Sequence, residues 1–177
     1  ALTDLGAWVQ STRNNGCAPF VVRGRLQGGK TSIEAISSQY LSSLLLNTPL
    51  CDNDTIIEVP LLNEKPYVEM TLDWLARQGV SVENENFQRF YVRGGQRYAP
   101  VRRAIPADFY SATFFLAAGA LPGNDILLRG LDMNDTQGDK AVVEYMKSMG
   151  ANVQILPEGI RVSAQDLVGR EIDLNAT

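Results

Sequence analysis

Residues 24–40 read "GRLQGGKTSIEAISSQY". The first eight letters satisfy G-x-x-x-x-G-K-[ST] through Gly24, Gly29, Lys30 and Thr31, the pattern of a phosphate-cradling loop. Such a loop must run straight into a helix at its Lys-Thr pair, because the helix N-terminus supplies the N–H groups that hold the phosphates. Upstream, "PFVVRG" reads as a strand, as the pattern needs. Downstream, "TSIEAI" alternates polar and apolar residues and reads as a second strand. The helix begins only at Ser37 or Ser38. "LQGGK" then reads as a hairpin turn, with two glycines free to take positive φ. A P-loop nucleotide-binding module is therefore the alternative that this stretch argues against. The hydroxyls and amide that stand at the helix start are those of Ser37, Ser38 and Gln39. A serine there can cap the helix and do nothing more. Two hydroxyls beside free N–H groups can equally hold a phosphate or carboxylate. Both readings stand at this point.

Outward from this stretch the chain repeats itself. "ALTDLGAWVQ", "MTLDWLARQGVSVE" and "YMKSMGANVQI" each read as an amphipathic helix, a glycine stop and an alternating strand. The glycines Gly6, Gly79 and Gly150 recur about every 70 residues, too long a period for a solenoid and suited to a duplicated α/β subdomain. Second strands follow at "PFVVRG", "RFYVRGG" and "GIRVSA". Between the repeats lies another kind of helix, in "SSQYLSSLLLNTPLC" and "DFYSATFFLAAGALPG", apolar or small almost all round over Ser42–Leu46 and Ala112–Ala118 and expected to be buried on every face. The unit order is strand, helix, strand, helix, strand, strand. "YAPVRRAIP" brackets a short strand with prolines and suggests a hinge at about residues 98–107, dividing the chain into 1–103 and 104–177. Asp108 opens the next helix, where it serves as an N-cap or a ligand.

Bulk composition narrows the function. The chain has 177 residues, 45% hydrophobic and 20% charged, with a formal net charge of −4 and no histidine. The acidic balance and scattered cations argue against a nucleic-acid partner. Without histidine, Ser-His triads, the usual zinc sites and imidazole acid–base work are excluded. Cys17 and Cys51 lie far apart without metal spacing and read as core-filling thiols of a reduced, intracellular protein. No apolar run reaches membrane-spanning length, so no membrane partner is expected. The chain opens within an apparent helix and stops at "EIDLNAT" after an apparent strand, and is expected to be an excised piece of a longer protein.

"SSQYLSSLLL", then "KPYVEMTLDWLARQGVSVEN", "YVRGGQRYAP" and "NDTQGD…MKSMGA", in this order and spacing, resemble the 5-enolpyruvylshikimate-3-phosphate synthases across essentially the whole chain. The resemblance implies transfer of the enolpyruvyl group of phosphoenolpyruvate to shikimate 3-phosphate in aromatic amino-acid synthesis, in the cytoplasm, with no metal and no organic cofactor. It implies two halves of three βαβαββ units each, helices inside and sheets outside, an inside-out α/β barrel with substrates between the halves. By resemblance Ser37, Ser38 and Gln39 contact shikimate 3-phosphate, Gln39 also facing phosphoenolpyruvate, and Tyr67 lies near the shikimate. Glu64 departs from the pattern, standing where many members carry a serine that touches phosphate. Either its carboxylate points away or the local alignment is one residue off. Asp108 matches an aspartate at the crossover between halves. The family's catalytic motifs "GSKS", "NAGTA" and "KETDR" are missing, so no catalytic residue is assigned here. The fragment is expected to be inactive alone and to need the remaining parts of the same polypeptide. A UDP-N-acetylglucosamine enolpyruvyl transferase is the alternative within the fold. That family is expected to place a reactive cysteine in a flexible loop, and Cys17 and Cys51 sit near predicted strand ends instead.

Overall fold

The structure is a computed structural model and describes residues 1–173. The end of the "EIDLNAT" reading, residues 174–177, lies outside the described residues. The chain divides into two compact units, Ala1–Val101 and Arg102–Thr177.

The first unit holds strands β1 (Trp8–Ser11), β2 (Phe20–Arg23), β3 (Gly29–Ala35), β4 (Thr55–Leu62), β5 (Val82–Glu85) and β6 (Arg89–Val92), with helices α1 (Ser38–Asn47) and α2 (Lys65–Arg77). β3 to β6 form one sheet in the order β3-β4-β6-β5. β3 and β4 run parallel, and β6 is antiparallel to both β4 and β5. The parallel pair requires a crossover, and α1 is that crossover. In β4, Thr55, Ile57 and Val59 alternate into the core while the residues between them are half-buried. Pro60 has no N–H to give, and β4 tolerates it because register with β6 ends at Glu58–Arg89. Leu41, Leu44 and Leu45 of α1 pack with Val68 and Leu75 of α2, Ile57 and Phe90 into one core. Each such side chain contributes roughly 2 kcal/mol of burial.

The second unit contains α3 (Phe109–Ala120), β7 (Asp125–Arg129), α4 (Val142–Ser148), β8 (Asn152–Leu156) and β9 (Gly159–Ser163), with a 3-10 turn before α4. Its sheet runs β7-β9-β8, antiparallel throughout. Phe109, Leu116, Val143, Ile160 and Val162 form its core.

The repeated glycines mark one repeated backbone closure. Gly6, Gly79 and Gly150 all take positive φ, at 99°, 76° and 90°. In each case the glycine N–H donates three residues back, to the carbonyl of Thr3, Ala76 or Lys147. The next N–H reaches five residues back, from Ala7 to Leu2, Val80 to Leu75 and Ala151 to Met146. This is the double bond pattern that ends a helix at a left-handed residue.

Five sequence expectations need correction. Residues 1–6 form turns rather than a helix, closed by the bonds from Gly6 to Thr3 and from Ala7 to Leu2. "LQGGK" is not a hairpin turn, because β2 pairs only with β1 while β3 pairs with β4. No strand forms at "YAPVRRAIP" among the described residues, where Pro100 and Pro106 have no N–H to give to a ladder. Helices α1 and α3 are buried along one face only, with Tyr40, Tyr110, Phe114 and Phe115 more than half exposed. Cys51 is buried, as expected of a core thiol, but Cys17 is exposed. No described helix is long and apolar enough to cross a membrane.

Candidate functional site

The glycine-lysine stretch that resembles a P-loop is fully engaged in structure. Lys30 and Thr31 lie within β3, so no helix N-terminus faces them. Lys30 Nζ sits 2.9 Å from Glu58 on the neighbouring strand. The Thr31 hydroxyl donates to Asp4 at 2.8 Å and is buried. That bond is the main reason the Asp4 carboxyl lies below its usual range. Gly28 serves the backbone: a Cβ there would stand 2.3 Å from the Asn53 carbonyl. Gln27 and Gly29 bond to the 53–54 segment on either side of it.

The carboxyl ends of β3 and β4 lie side by side, with Ala35 in register with Leu62. Each strand leads directly into a helix, so the N-termini of α1 and α2 open at the same edge of the sheet. The carboxyl ends of parallel strands are where open α/β sheets place their ligands. Asn63 ties the two junctions together. Its backbone N–H donates to Ala35 and its side-chain amide to the Ile36 carbonyl, at 3.0 and 3.1 Å. Further along, the Ser42 and Thr71 hydroxyls meet at 2.8 Å, which holds α1 against α2.

Ser37 is the N-cap of α1, in extended conformation, and its hydroxyl accepts from the Gln39 N–H at a long 3.4 Å. Ser38 is 2% exposed, with its N–H and hydroxyl directed at the α2 junction. Gln39 is exposed at the helix mouth. Tyr67 is half-buried in the first turn of α2; its N–H donates to the Glu64 carbonyl and its carbonyl accepts from Thr71. These four residues belong to one pair of strand–helix junctions.

Glu64 answers the question left open by the sequence. It precedes α2 with left-handed backbone, φ 54° and ψ 48°, and makes no side-chain bond to its own helix. Its carboxylate turns across to α1 instead. One oxygen accepts from the Ser38 hydroxyl at 3.0 Å and from the Ser38 N–H at 3.3 Å. It does not point away. Nothing in the sequence marked this orientation, and the bracing roles of Asn63, Ser42 and Thr71 were equally unmarked. The asparagine before "EKPY" was the available signal, since Asn favours side-chain bonds to nearby turns.

Asp108 opens α3 in the second unit and caps it. Its carboxylate accepts from the N–H groups of Tyr110 and Ser111 and from the Ser111 hydroxyl. The Ser111 hydroxyl is the chief cause of a carboxyl held below its ordinary range; burial opposes it and the two backbone donors add to it. Among the described residues no group of three or more His, Cys, Asp or Glu is placed to hold a metal ion. Two grooves of about 470 and 790 Å³ open elsewhere in the first unit, along β4, β5 and β6, and contain none of the residues named above as ligands.

The comparisons with known proteins point one way. The EPSP synthase (3-phosphoshikimate 1-carboxyvinyltransferase) family matches residues 1–177. The chain is 51% identical over 176 residues to the 3-phosphoshikimate 1-carboxyvinyltransferase of Acetivibrio thermocellus, covering 99% of this chain and 42% of that protein. It is 44% identical over 181 residues to the enzyme of that name from Methanothrix thermoacetophila, again covering 42% of the relative. A solved EPSP synthase from Acinetobacter baumannii superposes with a TM-score of 0.66 at 25% identity, over 90% of this chain and 37% of that structure. The chain thus spans about two fifths of the length of the relatives it matches. Its repeated α/β units are those of the enolpyruvyl transferase fold, and the chain belongs to the EPSP synthase family.

Proposed function

We propose that this chain supplies part of the shikimate 3-phosphate site of an enolpyruvyl transferase that uses phosphoenolpyruvate as donor, within a longer cytoplasmic polypeptide. The observation that carries this reading is the mouth of α1. Ser37, Ser38 and Gln39 stand there at the carboxyl end of a parallel strand pair, beside Tyr67 on α2. The helix N-terminus favours negative charge, and hydroxyls and free N–H groups accept it without a metal ion. In this role Ser37 and Ser38 donate to the phosphoryl oxygens. The Gln39 amide, exposed at the same end, reaches toward phosphoenolpyruvate, and Tyr67 lines the shikimate side. Asp108 keeps its capping role at the start of the second unit, which we assign to the other half of the enzyme, with the hinge at residues 98–107. Catalysis draws on parts of the polypeptide outside this chain.

An amide-resolved titration tests the reading. Shikimate 3-phosphate is expected to shift the Ser37, Ser38 and Gln39 resonances of the full-length protein. Shifts confined to Gly24–Thr31 on addition of magnesium ATP would move the phosphate back to the glycine stretch and sink the proposal.

A further inference from the structure

The mouth of α1 already holds an anion of its own. Glu64 is exposed, so burial does not force its carboxylate toward Ser38. It nevertheless takes both Ser38 donors, the N–H and the hydroxyl. No cation neutralises it there among the described residues: the adjacent Lys65 Nζ lies 4.2 Å above the Phe87 ring and 4.0 Å from Glu69. A carboxylate at these donors and a phosphoryl group at the same donors cannot coexist at contact distance, because like charges at that spacing repel strongly near a protein surface. The left-handed backbone at Glu64 sets the direction of the side chain, while its exposure leaves the carboxylate free to swing into water.

We propose that Glu64 is a specificity-determining residue, a resident carboxylate that occupies the Ser38 donors and must be displaced before a phosphorylated ligand binds. The proposal rests on the assignment of Ser37 and Ser38 to the phosphate of that ligand. It gives this chain a weaker and more salt-sensitive phosphate site than one with a neutral residue at position 64. Displacement also clears the site of its own charge, so ligands without a strongly negative group do not evict Glu64.

Calorimetric titration of shikimate 3-phosphate into the full-length protein tests it. Glu64→Gln keeps the length and removes the charge. Glu64→Asn is too short to reach Ser38 and tolerates the left-handed backbone. Both variants are expected to bind about tenfold more tightly than the wild type at low salt, and the gap is expected to narrow between roughly 20 mM and 300 mM salt as charge is screened. A role confined to supporting the α1–α2 junction would move the melting temperature and leave the salt dependence untouched. Affinities of wild type and both variants within twofold of each other, or weaker binding by the variants, would overturn the proposal. Glu64→Gly replaces any variant that fails to fold, since glycine has no strain at this φ. Ser38→Ala in the Glu64→Asn background separates this inference from the one beneath it. If Ser38→Ala weakens binding and Glu64 variants change nothing, only the role of Glu64 falls. If Ser38→Ala also changes nothing, the phosphate assignment falls with it.

Discussion

Single residues decide where the phosphate is read. Ser38 and Lys30 are close in sequence, and their surroundings differ in kind. Ser38 is buried with donors aimed into a junction, whereas Lys30 lies on a strand and is paired with Glu58. In the full-length protein, Ser38→Ala is expected to weaken shikimate 3-phosphate binding by about 1–3 kcal/mol, the range for a hydrogen bond to a charged group. Lys30→Ala is expected to leave that affinity unchanged. Equal, large losses from both would place the phosphate elsewhere. Asp108 offers a test in the second unit. Its carboxyl is held below the value of 3.8 by Ser111 and by backbone donors, so the ionised form favours the folded state. That contribution is present above about pH 4 and is lost as the pH falls through the lower folded value. Asp108→Asn, which still caps, is expected to flatten the acid end of the thermal stability profile of the second unit. Asp108→Ala is expected to cost about 1 kcal/mol at neutral pH. An acid limb unchanged in the Asn variant would remove Asp108 as its source. The capping residues were legible because a Ser or Asp before an apolar run has a local cause. The turn of Glu64 toward Ser38 was not, since it depends on two junctions that are adjacent only through strand pairing.

Several elements follow from a local pattern. The starts of α1 and α3, the alternation in β3 and the glycine closures at residues 79 and 150 follow from capping, periodicity and positive φ. The glycine pair before β3 depends on a partner distant in sequence. The glycines of "QGG" suit a hairpin turn by composition. Gly28 is instead required by the close passage of the Asn53 backbone. Gly29 has open space around its missing Cβ and carries only the conformational demand of φ 123°. Gly28→Ala is therefore expected to destabilise the first unit by roughly 2–4 kcal/mol, and Gly29→Ala by about 1 kcal/mol. Urea unfolding of both variants checks this. A Gly28→Ala loss no greater than that of Gly29→Ala would show that the 53–54 segment yields easily.

Across the molecule, the repeat near 70 residues was the most durable signal, because the same glycine closure recurs whether or not a full helix precedes it. The expectation of helices buried on all sides came from composition, and composition does not say which atoms do the covering. With about two fifths of its relatives' length and none of the charged motifs expected for catalysis, the isolated chain is expected to release no phosphate from shikimate 3-phosphate and phosphoenolpyruvate in a coupled assay. Turnover at a rate like that of a full-length relative would refute this.

Tyr110 and Phe114 of α3 and Leu121 at its C-cap recur at helical spacing, with Phe115 beside them, and Phe114 is 70% exposed. Such a stripe is a surface at which two copies of the chain can attract each other. Excluded salts strengthen attraction between apolar surfaces, so ammonium sulfate is expected to raise light scattering at concentrations where the net charge of −4 is already screened. Phe114→Glu is expected to shift that onset to higher salt while leaving the melting temperature in place. One helix face thus contributes an apolar patch to the surface of this chain, and a single charge placed on it interrupts that patch.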